Sequence, residues 1–369
     1  MTTTTSGTTT MIPPRPAPQS TKGWIGWLRL NLFSDGLTAL GTLIVLGLLG
    51  AAIPAFFRWA VTNAVWVADP HICHTGTGAC WGVVREKFRF ILFGRYPFDE
   101  HWRAFLSTLI LLGLVGISCM RMFWKSWLAA VWAIGLVVYF SLMHGGFWGL
   151  RVVATDLWSG LPLTILLATL SMLMAFPIAL VIALGRRSGM PAIRSLCTVY
   201  VELIRGVPLI SVLFMASFMF PLLMPAGFNI DVLIRVLAGI TLFAAAYMAE
   251  VIRGGLQAIP KGQLEAAATL GLTYWQTQRK IVLPQALAMV IPGLMNNFIS
   301  TFKDTSLVAI VSLYELTGAM GMAMNSEADW RPFRLEGYLF IAAIYFVFCY
   351  AMSRYSRWIE AHANQGKQR

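Results

Sequence analysis

The chain has 369 residues, of which 57% are hydrophobic and only 12% charged, with a mean hydropathy of +0.69. A soluble domain carries about twice that charged fraction, so one aqueous core cannot absorb this apolar surface and a bilayer is the natural surrounding. The formal net charge is +12, yet Lys and Arg stand in short runs between apolar segments. That pattern reports membrane topology rather than a nucleic-acid partner.

Residues 1–20 are Thr-rich and then Pro-rich and lack an apolar stretch ending at a small-residue cleavage site. No signal peptide is expected there, and 1–35 reads as a disordered tail. A spanning helix needs about 20 mostly apolar residues. Eight stretches qualify: 36–57, 103–120, 126–143, 160–184, 204–224, 232–252, 286–312 and 336–353. The fold class is therefore an all-α integral membrane protein. Simple alternation puts Arg29, Arg121, Lys125, Arg186, Arg187, Arg194, Arg253, Lys261, Arg279, Lys280, Arg354 and Arg357 on one side. By the positive-inside rule that side is cytoplasmic, with both termini.

The outer loop at about 60–102 holds Cys73 and Cys80 in one polar stretch, His71-Ile-Cys-His-Thr-Gly-Thr-Gly-Ala-Cys80. In an oxidising compartment a disulfide is the leading reading. A metal site from His71, Cys73, His74 and Cys80, or two free thiols, are the alternatives. The Gly-rich stretch 145–155 marks an expected boundary between a three-span unit, 36–156, and a five-span unit, 157–357, followed by a tail, 358–369.

The loop 260–284 differs from its surroundings: it is polar but rich in helix signals. Pro260 suits a first helical position, and the run Gln263 to Ala268 holds mostly good helix formers. Gly271 is placed for a left-handed cap. Thr273 and Gln276 have capping-box spacing for a second helix, expected to stop at Pro284. The small side chains at 266–268 allow close approach by a partner, and Glu265 offers it a charge. A solvated connector is the plainer reading. A DNA-binding helix-turn-helix is disfavoured by the spans on either side.

Glu202–Arg205 and Glu250–Arg253 repeat a Glu-x-Ile-Arg-Gly pattern whose i, i+3 spacing puts each pair on one helix face. These read first as ion pairs that fix the bundle, with Glu202–Arg253 and Glu250–Arg205 cross-pairing also open. Lys303 and Asp304 fall inside an apolar span, where a charge costs at least a few kcal/mol. With Asn296, Thr301, Thr305 and Ser306 they make the leading candidate for a translocation path. Lys303 and Asp304 could answer two opposite charges on a translocated solute. A satisfied interhelical network is the alternative.

At Glu265-Ala-Ala-x-x-x-Gly271 and Ile281-x-Leu-Pro284 the chain resembles the permeases of ABC importers, whose EAA loop sits in a cleft of the ATPase subunit. The resemblance implies that Glu265, Ala266, Ala267, Gly271, Ile281, Leu283 and Pro284 couple this chain to an ABC ATPase dimer. Glu202-Leu-Ile-Arg-Gly-Val-Pro208, Glu250-Val-Ile-Arg-Gly-Gly255 and Phe302-Lys-Asp-Thr-Ser-Leu307 are similar to the polar amino-acid uptake branch, over roughly 157–357. The segments Gly78-Ala-Cys-Trp81 and Phe93-Gly-Arg-Tyr-Pro97 resemble the larger permeases of general L-amino-acid importers. That implies a type I importer core, a second homologous permease subunit in a heterodimer, a periplasmic amino-acid-binding protein and an inner-membrane location. No Gly-x-x-x-x-Gly-Lys-Ser/Thr occurs, so ATP hydrolysis is expected on a separate subunit, and no cofactor is expected here. An ion-driven secondary transporter is the runner-up, although no inverted repeat is visible. A membrane-embedded enzyme finds no intramembrane nucleophile set.

Overall fold

The computed structural model describes residues 23–365 apart from 148, 226, 228 and 229. It divides into two compact units, one formed by Met1–Val65 with Ile72–Ala79 and the other by Trp66–His71 with Cys80–Arg369.

In the first unit, α1 (Gly23–Leu32) leads into α2 (Gly36–Phe57). Asp35 caps α2 by accepting from the Thr38 N–H at 2.7 Å, and Thr38 Oγ1 accepts from the Asp35 N–H at 3.1 Å. This reciprocal pair satisfies two donors that a helix start otherwise leaves open. None of the α2 residues is buried, as an apolar helix in lipid requires. The Ile72–Ala79 segment joins this unit through Val65 N–H to Ala79 O and Ala79 N–H to Trp59 O, both at 2.8 Å. Residues 23–32 are thus helical where a disordered tail was expected, while 1–22 lie outside the described residues.

The short helix α3 (Pro70–Thr75) includes Cys73. Cys73 and Cys80 are both disulfide-bonded, while Cys119, Cys197 and Cys349 are free.

The second unit runs through α4 (Gly82–Phe93), α5 (His101–Ser118), α6 (Trp127–His144), α7 (Gly160–Gly185), α8 (Pro191–Gly206) and α9 (Leu209–Leu222). It continues with α10 (Val232–Gln257), α11 (Lys261–Thr269), α12 (Tyr274–Val311), α13 (Leu316–Asn325) and α14 (Arg334–Gln365). Every regular element among the described residues is helical. Seven helices are long and apolar enough to span a membrane, or eight if α8 and α9 count together. The tail expected from 358 continues α14 as helix to Gln365, and 366–369 lie outside the described residues.

Three expectations need correction. The span placed at 204–224 is instead two helices meeting at 104°. Gly206 ends α8, Pro208 has no N–H to donate, and Val207 before it is extended at φ −109°, ψ 136°. The second helix of the polar loop does not stop at Pro284. A π turn at Gln278–Val282 precedes the proline, which then sits in the first turn of the helix that runs on to Asp304. The wider turn accommodates the missing N–H without ending the helix. Finally, α5 and α6 share a unit with the five later spans rather than separating at 145–155. Tyr139 of α6 donates to Pro162 O at 3.2 Å, and buried Arg103 of α5 donates to Leu142 O at 2.8 Å and Arg151 O at 3.0 Å.

The core has two parts. One gathers Leu111, Tyr139, Trp158, Leu163, Leu213, Ile240 and Phe302. The other is built from small residues: Ala175, Ala179 and Ala183 of α7 face Ala244, Ala245 and Ala249 of α10. Within a membrane no water drives helices together, so close backbone approach across small side chains supplies the packing.

Candidate functional site

The polar loop is a helix–turn–helix that projects from the bundle. Pro260, with φ −60° and ψ 139°, is the residue before the helix rather than its first position. Gly271 adopts φ +68°. Its N–H donates to Ala268 O at 3.0 Å, and the Leu272 N–H reaches back to Ala267 O at 3.1 Å. These two bonds form a Schellman closure, which a residue with a Cβ enters only with strain. The second helix opens on a capping box, with Thr273 N–H to Gln276 Oε1 at 2.9 Å and Gln276 N–H to Thr273 Oγ1 at 3.4 Å.

Within this knob Ala267 is buried and anchors it, while Glu265, Ala266, Gly271 and Pro284 are exposed. Ile281 and Leu283 are half-buried at the root. The sequence reading missed the apolar tip. Leu270 is 76% exposed, Trp275 69% and Tyr274 55%. Large apolar side chains held outward on a polar loop mark a contact surface. Their exposure depends on the turn at Gly271, so composition alone did not signal it.

At the loop end of the bundle the repeated Glu–Arg motifs join one network. Glu250 accepts from Arg186 Nη1 at 2.6 Å and Arg253 Nε at 3.0 Å, and Arg205 Nη1 lies 3.8 Å away. Arg186 also reaches Glu202 at 3.0 Å. The i, i+3 pair Glu250–Arg253 and the cross-pair Glu250–Arg205 are therefore present together. The unexpected member is Arg186 at the end of α7, the hub that joins the two glutamates. Its basic charge alone marks only topology; the contacts make it a hub.

Between α8, α9, α10 and α12 lies a cavity of about 620 Å³. Arg205 and Asp304 both line it, with Tyr247, Asn297, Ser300 and Thr301. The broken segment Gly206-Val207-Pro208 forms part of the wall. Arg205 also stacks on Tyr247, 5.5 Å from the ring centroid. Asn297 Nδ2 is buried and has no hydrogen-bond partner among the described residues, leaving a donor in the cavity lining.

The adjacent charges Lys303 and Asp304 separate. Lys303 and Ser306 line a different cavity, of about 580 Å³, with Tyr338, Tyr345 and Phe346 of α14. About 100° of rotation per residue on a helix explains the split. Neither Thr305, fully buried and bonded back to Phe302 O at 2.8 Å, nor exposed Asn296 is among the described residues that line the larger cavity.

A bundle of membrane-length helices around a polar cavity, with a rigid knob at one end, has the build of a transport protein moved by a partner. The chain belongs to the binding-protein-dependent transport system inner membrane component family, whose model matches residues 175–365, and its full-length relatives make it an amino-acid ABC transporter permease subunit. It is 46% identical to the inner membrane amino-acid ABC transporter permease protein YhdY of Escherichia coli (strain K12), over 96% of this chain and 97% of that one. It is 36% identical to the glutamate/glutamine/aspartate/asparagine transport system permease protein BztC of Rhodobacter capsulatus, over 95% of this chain and 96% of that one. A crystal structure of an amino acid ABC transporter with histidines aligns with TM-score 0.50 and 32% identity, over 55% of this chain and 92% of that chain. Permeases of this family work with ATPase subunits, and the chain is a transporter subunit rather than an enzyme.

Proposed function

We propose that this chain carries L-amino acids into the cell across the bacterial inner membrane, driven by ATP hydrolysis on a separate ABC ATPase dimer seated on the 260–284 knob. The observation that carries this reading is the knob itself: a Schellman-closed helix pair whose Leu270, Tyr274 and Trp275 point outward beside Glu265 and Ala266. Force on it passes directly into α10 and α12, between which it is strung. In this reading the knob end is cytoplasmic with both termini, in keeping with the basic residues gathered there. A periplasmic binding protein delivers substrate on the opposite side, and a second, homologous permease completes a heterodimer. The disulfide-bonded Cys73 and Cys80 face the oxidising side.

The cavity offers an α-amino acid two opposite charges. Arg205 answers the carboxylate and Asp304 the ammonium, while Asn297, Ser300 and Thr301 add neutral hydrogen bonds. The start of α9 at the same wall adds the positive end of a helix dipole. BztC is named for acidic and amide amino acids and the solved structure holds histidines. The α-ammonium and α-carboxylate common to them are the groups that Arg205 and Asp304 address. Lys303 and Ser306 serve the neighbouring α12–α14 face.

Reconstitution in liposomes with the second permease, the ATPase and the binding protein tests this. Amino-acid uptake is expected only with ATP and the ATPase present, and Gly271→Val is expected to depress it. Uptake that persists without the ATPase and follows an imposed ion gradient would establish secondary transport instead.

A further inference from the structure

A third cavity, of about 440 Å³, lies beside the Glu250 network at the loop end of the bundle. Four arginines line it, Arg186, Arg187, Arg194 and Arg253, with Ser195, Thr198 and Gln257, and no carboxylate does. Arg186 and Arg253 spend their charge on Glu202 and Glu250. Arg187 donates to Leu256 O, a neutral group. Arg194 is exposed and its side chain has no hydrogen bond or ion pair among the described residues. Two guanidinium charges are thus uncompensated in one concave site. Arg186 is held almost fully buried at its wall, with its side chain 9% exposed.

The helix that contributes Arg194 is also the one that turns through 104° against α9. The bend lets α8 lie along the bilayer surface while α9 enters the membrane, and the proposal below takes that arrangement. Its exposed face agrees: Ile193, Leu196, Val199 and Leu203 form an apolar stripe at helical spacing, exposed by 40%, 73%, 61% and 59%. Arg194, Ser195, Thr198 and Glu202 lie beside that stripe. An amphipathic helix of this kind sinks its apolar side to the acyl boundary and holds its basic side at the headgroup level. Basic pockets between helices at that depth take anionic lipid headgroups.

We propose that the Arg186–Arg187–Arg194–Arg253 cavity binds the phosphate of an anionic phospholipid, whose acyl chains lie along the apolar stripe of α8. The planar guanidinium forks of Arg187 and Arg194 meet phosphate oxygens in pairs. Ser195 and Gln257 supply neutral donors to the rest of the headgroup, while Thr198 Oγ1 donates to Arg194 O at 2.8 Å. The lipid bridges α8 to the last turn of α10, immediately before the knob. This site is separate from the substrate cavity and its occupancy is independent of what is transported.

The test is native mass spectrometry of the delipidated full chain, given phosphatidylglycerol or phosphatidylcholine at equal concentration. Each uncompensated arginine should favour the anionic lipid by roughly fivefold. Arg194→Gln should then lower the phosphatidylglycerol preference by about fivefold, and Arg187→Gln with Arg194→Gln by about 25-fold. Arg194→Lys should retain most of it, and Arg279→Gln, on the knob and outside the cavity, should leave it unchanged. Arg194 makes no side-chain bond among the described residues, so the single variant decides the matter if the double variant misfolds. Equal binding of the two lipids by the wild type, or an undiminished preference in Arg194→Gln, overturns the proposal. So does loss of the preference on adding inorganic phosphate alone, which would identify a soluble anion site. None of these readings depends on transport, so failure of the amino-acid assignment would show separately, as absent uptake.

Discussion

At the scale of single residues, neighbouring charges have unequal work. Asp304 lines the large cavity with Arg205, while Lys303 faces α14. A charged hydrogen bond to substrate is worth about 1.5–3 kcal/mol, or roughly 10- to 100-fold in affinity at 1.4 kcal/mol per decade. Asp304→Asn and Arg205→Gln should each lower apparent substrate affinity by that factor in liposome uptake, whereas Lys303→Met should change it by less than about threefold. A larger effect at Lys303 than at Asp304 would move the substrate to the α12–α14 face. The inner network has its own asymmetry. Glu202 is 60% exposed on its side chain, while Arg186 is 9% exposed and joins two carboxylates. Glu202→Gln should cost within about 0.5 kcal/mol, as exposed pairs do. Arg186→Met leaves part-buried Glu250 with Arg253 and the more distant Arg205 but removes its link to Glu202, and should cost more, about 1–2 kcal/mol after allowance for solvent. Thermal unfolding of the purified variants orders them, and an equal shift would remove Arg186 from the hub. The Glu250–Arg253 pair was legible because i, i+3 spacing is local, but the Glu202–Arg205 pair expected from the same spacing is not formed among the described residues, where Glu202 meets Arg186 instead. Arg186 was not legible, since its partners lie 16 and 64 positions away.

At the scale of elements, local chemistry was readable wherever the cause was local. The Thr273–Gln276 box and the Gly271 turn follow from capping rules and are present. Prolines were harder to read, because the same missing N–H has two remedies. At Pro208 the chain breaks through 104°, and at Pro284 a π turn lets the helix run on. Gly271 permits a sharp test of the knob. Nothing lies within 4 Å of a Cβ built there, so a substitution meets strain only from φ +68°. Asn tolerates the left-handed region and β-branched residues do not. Gly271→Asn should keep most ATP-coupled uptake, while Gly271→Val should lose the turn at a cost of about 1–2 kcal/mol per strained residue and depress uptake severalfold. ATPase activity of the Val variant should no longer respond to substrate. Equal loss in both variants would point to contact with the partner, not backbone conformation, as the role of this glycine.

At the scale of the whole molecule, the segment 80–100 is fastened by contacts far apart in the chain. Helix α4 lies against α13, and Lys87 pairs with Glu327. The Cys80 N–H donates to buried Glu336 at 3.0 Å, and the Arg95 N–H to Ser159 Oγ at 2.6 Å. Glu315, fully buried at the start of α13, accepts from the N–H groups of Thr317 and Gly318, from Tyr345 at 2.8 Å, and more distantly from Thr164. Burial pushes its carboxyl above the usual carboxylate range, and these donors draw it part of the way back. No local pattern announces such an arrangement, since each partner is remote in sequence and none of the residue types is unusual. The junction is tightest at Gly160, the first residue of α7, where a Cβ would sit 2.1 Å from Leu92 O and φ is +70°. A backbone oxygen cannot yield as a flexible side chain can. Gly160→Ala must therefore push α4 off the start of α7 or distort the turn, at a cost of about 2 kcal/mol or more. Gly254, inside α10 with nothing within 4 Å of a built Cβ, should behave in the opposite way. Gly254→Ala removes backbone entropy from the unfolded chain and should stabilise by roughly 0.5–1 kcal/mol. Thermal unfolding should separate the two variants in sign. Limited proteolysis between α4 and α5 should be faster only in Gly160→Ala, because α4 is the part released. Cleavage there at the wild-type rate would mean that α4 is held by its contacts with α13 and α14, and that the close approach at Gly160 is incidental to how it is fastened.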